Sequence, residues 1–168
     1  MRITDQRYLP SDNRYTTQPC LLSILELDAD VPATPGALAL FQQRLQHALP
    51  GVSRLRGLVG KRTGANDDVP YLAQAVQQVA IELRRLVFNE ISVAFVGQVP
   101  RMKGRYRLVL PYTARHVVAP VLETATQLVD ALLAGRACNV TALLARLRAQ
   151  TERRHSPRAA GGRTRVPT

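Results

Sequence analysis

Few side chains in this sequence combine a reactive type with the spacing that catalysis or metal binding requires. The three histidines, His47, His116 and His155, share no spacing, and each is best interpreted as a surface or capping residue. The two cysteines, Cys20 and Cys138, are too few for a disulfide framework and lack metal-ligand spacing. We expect both thiols to be reduced, and Cys138 has no neighbouring histidine in sequence that would lower its pKa.

A glycine-rich, charged stretch over residues 51–69 resembles a phosphate-binding loop at Gly60-Lys61. Arg62 stands where the loop needs Ser or Thr to bind magnesium, and Leu55 occupies the place of its first glycine. The match fails, so this stretch is predicted to be an ordinary loop.

The net charge of +11 is concentrated toward the carboxyl end of the chain. Seven arginines lie between residues 146 and 168, against the single acid Glu152. Such a segment attracts polyanions, but we favour a solvated basic tail and keep a nucleic-acid-binding tail as the alternative. The apolar fraction of 46% fits a folded domain, and no stretch is long and apolar enough to predict a membrane span or a secretory signal.

Hydrophobic periodicity and turn residues predict the elements that must position any site. Thr34 before Pro35 is typical of a helix start, Pro50-Gly51 of its end, and Asn139 of a cap. The predicted strands are 18–28, 91–99 and 105–112, the last two forming a hairpin, and the predicted helices are 35–49, 70–87, 115–135 and 140–153. This order indicates an α+β fold: a small, largely antiparallel sheet with about four helices packed on it. We expect one domain over residues 1–154 and a flexible basic tail over 155–168.

Phrases spread over residues 8–154 resemble the amino-terminal domain of cyanophycin synthetase. LELDADVPATPGALALFQQRLQHALPGV is similar to that family's strand, Pro-Gly turn, helix and Leu-Pro-Gly-Leu phrase. YLAQAVQQVAIELRRL resembles its central helix, and TQLVDALLAGRACNVTALLARLR its two closing helices. Of the family's opening phrase, only Asn13 and Tyr15 hold the pattern.

The resemblance implies a connection with a polymer that has a poly-aspartate backbone and arginine branches. The full enzymes carry an ATP-grasp ligase and a Mur-ligase-like module, and the sequence in hand ends where the first of these would begin. We therefore expect no polymerising activity from these 168 residues.

The resemblance also implies a metal site that this sequence has lost. The family's central helix commonly carries His-x-x-Glu-His, in which two histidines bind zinc and the glutamate acts as general base. Here the aligned positions are Gln74, Gln77 and Gln78, and glutamine neither ligates zinc like imidazole nor takes a proton. We expect a pseudoenzyme without a cofactor or a metal.

Six basic residues are candidates for a polymer-binding surface: Arg54, Arg56, Lys61, Arg62, Arg84 and Arg85. The leading hypothesis is a cytoplasmic, non-catalytic domain that binds cyanophycin or docks on a cyanophycin synthetase, although the six could equally form a solvated face. One alternative is a hydrolase that uses unrecognised residues; Glu82 is more simply a solvated or salt-bridged acid. A basic nucleic-acid-binding protein is the other alternative, and self-association is left open.

Overall fold

The patterns in the sequence become four strands and four helices in the computed structural model, which describes residues 1–28, 34–52 and 71–155. The strands are β1 (Arg2–Leu9), β2 (Cys20–Glu26), β3 (Phe95–Gln98) and β4 (Arg105–Pro111). The helices are α1 (Pro35–Ala48), α2 (Tyr71–Phe88), α3 (Arg115–Leu133) and α4 (Val140–His155). Residues 156–168 and most of the predicted loop 51–69 lie outside the described residues, so the boundary at 154 stays a prediction.

The strands form one antiparallel sheet in the order β1-β2-β4-β3, which confirms the α+β prediction. The hairpin of β3 and β4 is confirmed as well. β1 was not predicted, because five of its eight residues are exposed and its sequence shows little apolar alternation. β3 begins at Phe95, later than predicted, since residues 91–94 pair with no strand in the described part of the chain.

The helices pack against one face of the sheet. Paired residues of antiparallel strands point to the same face, so Leu21 and Leu25 of β2 share their side with Tyr106, Leu108 and Leu110 of β4. All five are buried in one core with the apolar residues of the helices. No helix in the described ranges has the length and apolarity that crossing a bilayer requires.

The opposite side of the sheet, called here the outer face, is rich in charge. Its residues follow from the register, in which Arg2, Asp5 and Arg7 of β1 pair with Glu26, Ile24 and Leu22 of β2. The last three pair in turn with Arg105, Arg107 and Val109 of β4. Leu22 and Ile24 are only half-buried. The outer face therefore presents four arginines and two acids around a small apolar centre.

Both predicted helix caps are present. The Thr34 side chain accepts a hydrogen bond from the backbone N–H of Ala37 at 3.3 Å, with Pro35 in the first turn of α1. Asn139 Oδ1 accepts from the N–H of Ala142 at 3.0 Å and begins α4. Short polar side chains thus satisfy amide groups that lack a partner within their own helix.

The end of α3 is closed by a glycine and by an arginine from α1. Gly135 has φ +71°, which L side chains rarely adopt, and its N–H donates to Leu132 O while the next N–H, from Arg136, donates to Ala131 O. Arg44 Nη1 also donates to Leu132 O, at 3.0 Å. A Cβ at Gly135 would lie 2.9 Å from Arg44 Nη2. Gly135 therefore serves both the turn and the docking of α1.

The substitution Gly135→Ala is expected to lower the free energy of unfolding by about 1 to 2 kcal/mol, because alanine is strained at this φ and displaces Arg44. Urea denaturation measures the change. Gly36→Ala is the matched control, since nothing lies within 4 Å of its added Cβ and its φ is ordinary. Equal stability of the two variants would contradict the assigned role of Gly135.

Candidate functional site

The three glutamines at the predicted metal positions lie on α2 and are all half-buried. Gln74 and Gln78 are four residues apart, so they share one side of the helix, as a pair of metal ligands would. Their side chains are neutral amides. Across the described ranges, no group of three or more His, Cys, Asp or Glu side chains is arranged to hold a metal ion.

Gln77 connects α2 to the chain that leads into β3. Its Nε2 donates a hydrogen bond of 2.6 Å to the carbonyl oxygen of Ala94. A glutamate carboxylate at this position would face the same carbonyl with no proton to donate. Glutamine at position 77 therefore supplies a structural hydrogen bond that an ionised general base cannot make.

Gln77→Glu is expected to cost about 1 to 2 kcal/mol of stability at neutral pH, because the Ala94 carbonyl loses its donor and faces a negative charge. That carbonyl disfavours the ionised form, so folding should raise the pKa of the introduced carboxyl above its value in the unfolded chain. The stability loss is then complete above the raised pKa and shrinks as the pH falls through it, where the protonated acid donates to Ala94.

Urea denaturation between about pH 4 and pH 7, a range that spans the ordinary pKa of glutamate and a raised one, measures this effect. Gln78→Glu, on the same helix, is the matched control. If the stability loss of Gln77→Glu shows the same pH dependence as that of Gln78→Glu, the role of Gln77 as a hydrogen-bond donor is contradicted.

Glu82, one turn after Gln78, is a buried ion-paired acid. It is 4% exposed, and both of its oxygens accept from Arg85, at 2.9 Å from Nε and 2.6 Å from Nη2. These hydrogen bonds raise the pKa of Arg85, whose side chain is half exposed. The carboxylate also lies against Gly51, where an added Cβ would clash with Glu82 Oε1. Glu82 therefore packs against the chain just after α1, and its pairing with Arg85 agrees with the ion-paired interpretation.

Arg84, one of the six candidate polymer-binding residues, points into the protein. It is 4% exposed, donates from Nη1 to Pro111 O at 2.7 Å and pairs through Nη2 with Glu90 at 3.3 Å. Burial lowers the pKa of Arg84, and the nearby Glu90 charge partly opposes that change. Arg84 thus joins α2 to the end of β4. Four other candidates, Arg54, Arg56, Lys61 and Arg62, lie outside the described residues.

The remaining reactive side chains are dispersed. His47 lies in the last turn of α1 and His116 in the first turn of α3; nothing is described of the His155 side chain. Cys20 is fully buried on β2, and this burial raises the pKa of its thiol, although a hydrogen bond with Asn13 acts in the opposite direction. A raised pKa keeps the thiol protonated and unreactive near neutral pH.

Sequence reasoning missed a cluster of two arginines and a tyrosine on the outer face. Arg107 Nη1 of β4 donates to the hydroxyl oxygen of Tyr15 at 3.1 Å, and its guanidinium carbon lies 5.9 Å from the ring centroid. Arg14 lies 5.5 Å from the same centroid. We call Arg14, Tyr15 and Arg107 the arginine–tyrosine cluster. Two guanidinium groups around one ring form a surface suited to carboxylates.

The loop between β1 and β2 holds Tyr15 in this position through Asn13. Asn13 Nδ2 donates to Pro10 O at 2.9 Å and Gln18 O at 3.0 Å. Its Oδ1 accepts from the N–H groups of Tyr15, at 2.9 Å, and Thr16, at 3.0 Å. The two residues that keep the family's opening pattern are thus the one that shapes the loop and the one at the centre of the cluster.

A second arginine–aromatic stack lies where β1, the end of β4 and the start of α3 meet. Arg115, the first residue of α3, lies 4.0 Å from the ring centroid of Tyr8. The Tyr8 ring packs edge-on against Tyr112, with centroids 6.0 Å apart. For the arginines of the outer face, the signal in the sequence was the alternation Arg105-Tyr106-Arg107, in which a buried tyrosine stands between two outward-pointing arginines.

Fold and site together define an α+β domain with helices on one side of its sheet and an arginine-rich outer face on the other. Its central helix α2 carries the amides Gln74, Gln77 and Gln78 at the predicted metal positions. A family model described as the cyanophycin synthase-like N-terminal domain matches residues 24–134, from β2 to the end of α3. Since this match covers more than half of the sequence, the chain belongs to that family, as the resemblance predicted. No curated protein matches the chain.

Proposed function

We propose that this domain is a non-catalytic member of its family and that it binds cyanophycin through the outer face of the sheet. The observation that carries the proposal is the arginine–tyrosine cluster of Arg14, Tyr15 and Arg107. A poly-aspartate chain with arginine branches presents carboxylates and guanidinium groups together. The outer face offers arginines for the first and Asp5 for the second, while Glu26 is paired with Arg2 and Arg105.

The contacts of Gln77 and Glu82 on α2 support the proposed absence of hydrolysis. Gln77 donates to Ala94 O where the family's general base would stand, and Glu82 is occupied by Arg85. Hydrolysis through a bound water requires a metal or a base with a free lone pair. Gln77 is not a base, and the Glu82 carboxylate is buried and ion-paired with Arg85.

Retention of the purified protein on cyanophycin granules at low salt tests the binding. The double variant Arg14→Ala/Arg107→Ala is expected to bind about tenfold more weakly, because two charge-assisted contacts are removed. Arg136→Ala, an exposed arginine after α3, is the matched control and should bind like the unmodified protein. Equal retention of the double variant and the control would contradict the assigned surface.

Incubation of the protein with cyanophycin, with and without zinc, tests the absence of hydrolysis. We expect no shorter chains in either condition. Release of shorter chains would support the hydrolase alternative. Competition by single-stranded RNA that displaces the protein from granules completely would favour a general polyanion surface instead.

A further inference from the structure

The edge of the sheet formed by β3 carries an exposed apolar strip. Ile91, Val93 and Phe95 are 102%, 63% and 47% exposed, while Ala94 between them is buried. β3 bonds only to β4, so its other side is an edge within the described sheet. Proteins that remain monomeric usually protect such an edge with charges, a proline or a covering element. Here the sequence from Ile91 to Val99 contains no charged residue and no proline.

The backbone of β3 has groups that can pair with another strand. The N–H of Val99 donates to Arg105 O at 3.0 Å, and Gly97 pairs with Arg107. In an antiparallel ladder the groups of alternate residues point to opposite sides. The N–H and C=O groups of Val96 and Gln98 therefore point away from β4. The carbonyl of Ala94 already accepts a hydrogen bond from Gln77, so the unpaired backbone groups of this edge begin after Ala94.

The charges at the two ends of the strip favour a second copy in an antiparallel arrangement. Glu90, which is half-buried and also pairs with Arg84, precedes Ile91, and exposed Arg101 and Lys103 follow the strand. A two-fold axis near Gly97 places the Glu90 end of one copy beside the Arg101–Lys103 end of the other. A parallel arrangement would place these cations against each other. The antiparallel arrangement also brings Ile91 and Val93 toward the exposed Met102 of the partner.

We propose that two copies of this chain pair through their β3 edges about a two-fold axis and form a closed dimer with a continuous eight-stranded sheet. The uncharged strip permits this contact between two molecules of net charge +11, because the interface excludes most of that charge. The contact area of one strand edge is small, so we expect a dissociation constant of about 10 to 100 µM. The proposal does not depend on polymer binding.

Sedimentation equilibrium of the purified protein over a dilution series, without polymer, tests the dimer. Val93→Lys is expected to raise the dissociation constant at least about tenfold, since the new cation meets Arg101 of the other copy. Val93→Glu should weaken the dimer less than Val93→Lys, because the same position then faces an opposite charge. Leu40→Lys, a half-exposed leucine on α1, is the matched control and should leave the dimer intact.

Two results would overturn the proposal. One is a monomer at every concentration, which would leave the edge to a strand from a different protein. The other is a dimer that Val93→Lys does not weaken, or that dissociates at high salt. Backbone pairing and apolar contact should persist when surface charges are screened, so loss in salt would indicate association through charges alone.

Discussion

Arg84→Ala is expected to lower the free energy of unfolding by about 3 kcal/mol, the largest effect of any single substitution considered. The change removes the donor to Pro111 O and the ion pair with Glu90, and it leaves a space inside the protein. The buried carbonyl then lacks a partner, which costs more than the net gain of forming the bond. Urea denaturation followed by circular dichroism measures the loss.

Arg84→Met separates the buried charge from the space that it fills. Arg84 Nε has no hydrogen-bond partner among the described residues, so the wild-type guanidinium already bears a desolvation cost. Methionine removes that cost and fills much of the volume, although Pro111 O still loses its donor, so we expect a smaller loss of about 1 to 2 kcal/mol. Equal losses for Ala and Met would contradict this account. Arg84→Met should also keep cyanophycin binding, in contrast to Arg14→Ala/Arg107→Ala.

Gly51→Ala is the second large effect, with an expected loss of about 2 to 3 kcal/mol. The added methyl would occupy the position of the Glu82 carboxylate. A flexible side chain could move aside, but Glu82 is buried and both of its oxygens are held by Arg85. Relief of the overlap therefore breaks a buried ion pair or moves α1 away from α2. Gly36→Ala is again the control, because nothing lies within 4 Å of its added Cβ.

A double-mutant cycle with Glu82→Ala locates the cause. If the carboxylate is the obstacle, the methyl group fits in the space that Glu82→Ala opens. The stability loss of the double variant is then smaller than the sum of the losses of the two single variants. Additive losses would contradict the contact between Gly51 and Glu82. The cycle also measures how strongly the end of α1 is attached to α2.

Helix-cap residues and apolar periodicity predicted most of the fold, because each of these local patterns is compatible with one kind of secondary structure here. Thr34-Pro35 and Asn139 satisfy amide groups at helix starts, and the apolar stripe of α2 has one side to bury. β1 escaped prediction because a strand at the edge of a sheet needs apolar residues on little of its surface. Its sequence therefore resembles that of a polar loop.

The candidate site was less predictable, since its contacts join residues far apart in sequence. Arg107 meets Tyr15 across 92 positions, and only the sheet register reveals that they share a face. Charge alone also does not tell buried from exposed arginines. Arg84 and Arg85 are neighbours on α2, yet one points to the end of β4 and the other lies half exposed beside Glu82.

The hydrogen bond from Gln77 to Ala94 also affects how easily a substitution at position 77 could be reversed during evolution. If an ancestor carried the zinc motif, recovery of glutamate at position 77 alone would cost stability while providing no catalysis, because positions 74 and 78 would still be amides. A first step back at position 77 is therefore disfavoured unless the chain near Ala94 changes beforehand. If the metal site was lost as proposed, this one hydrogen bond favours keeping glutamine at position 77 over a return to glutamate.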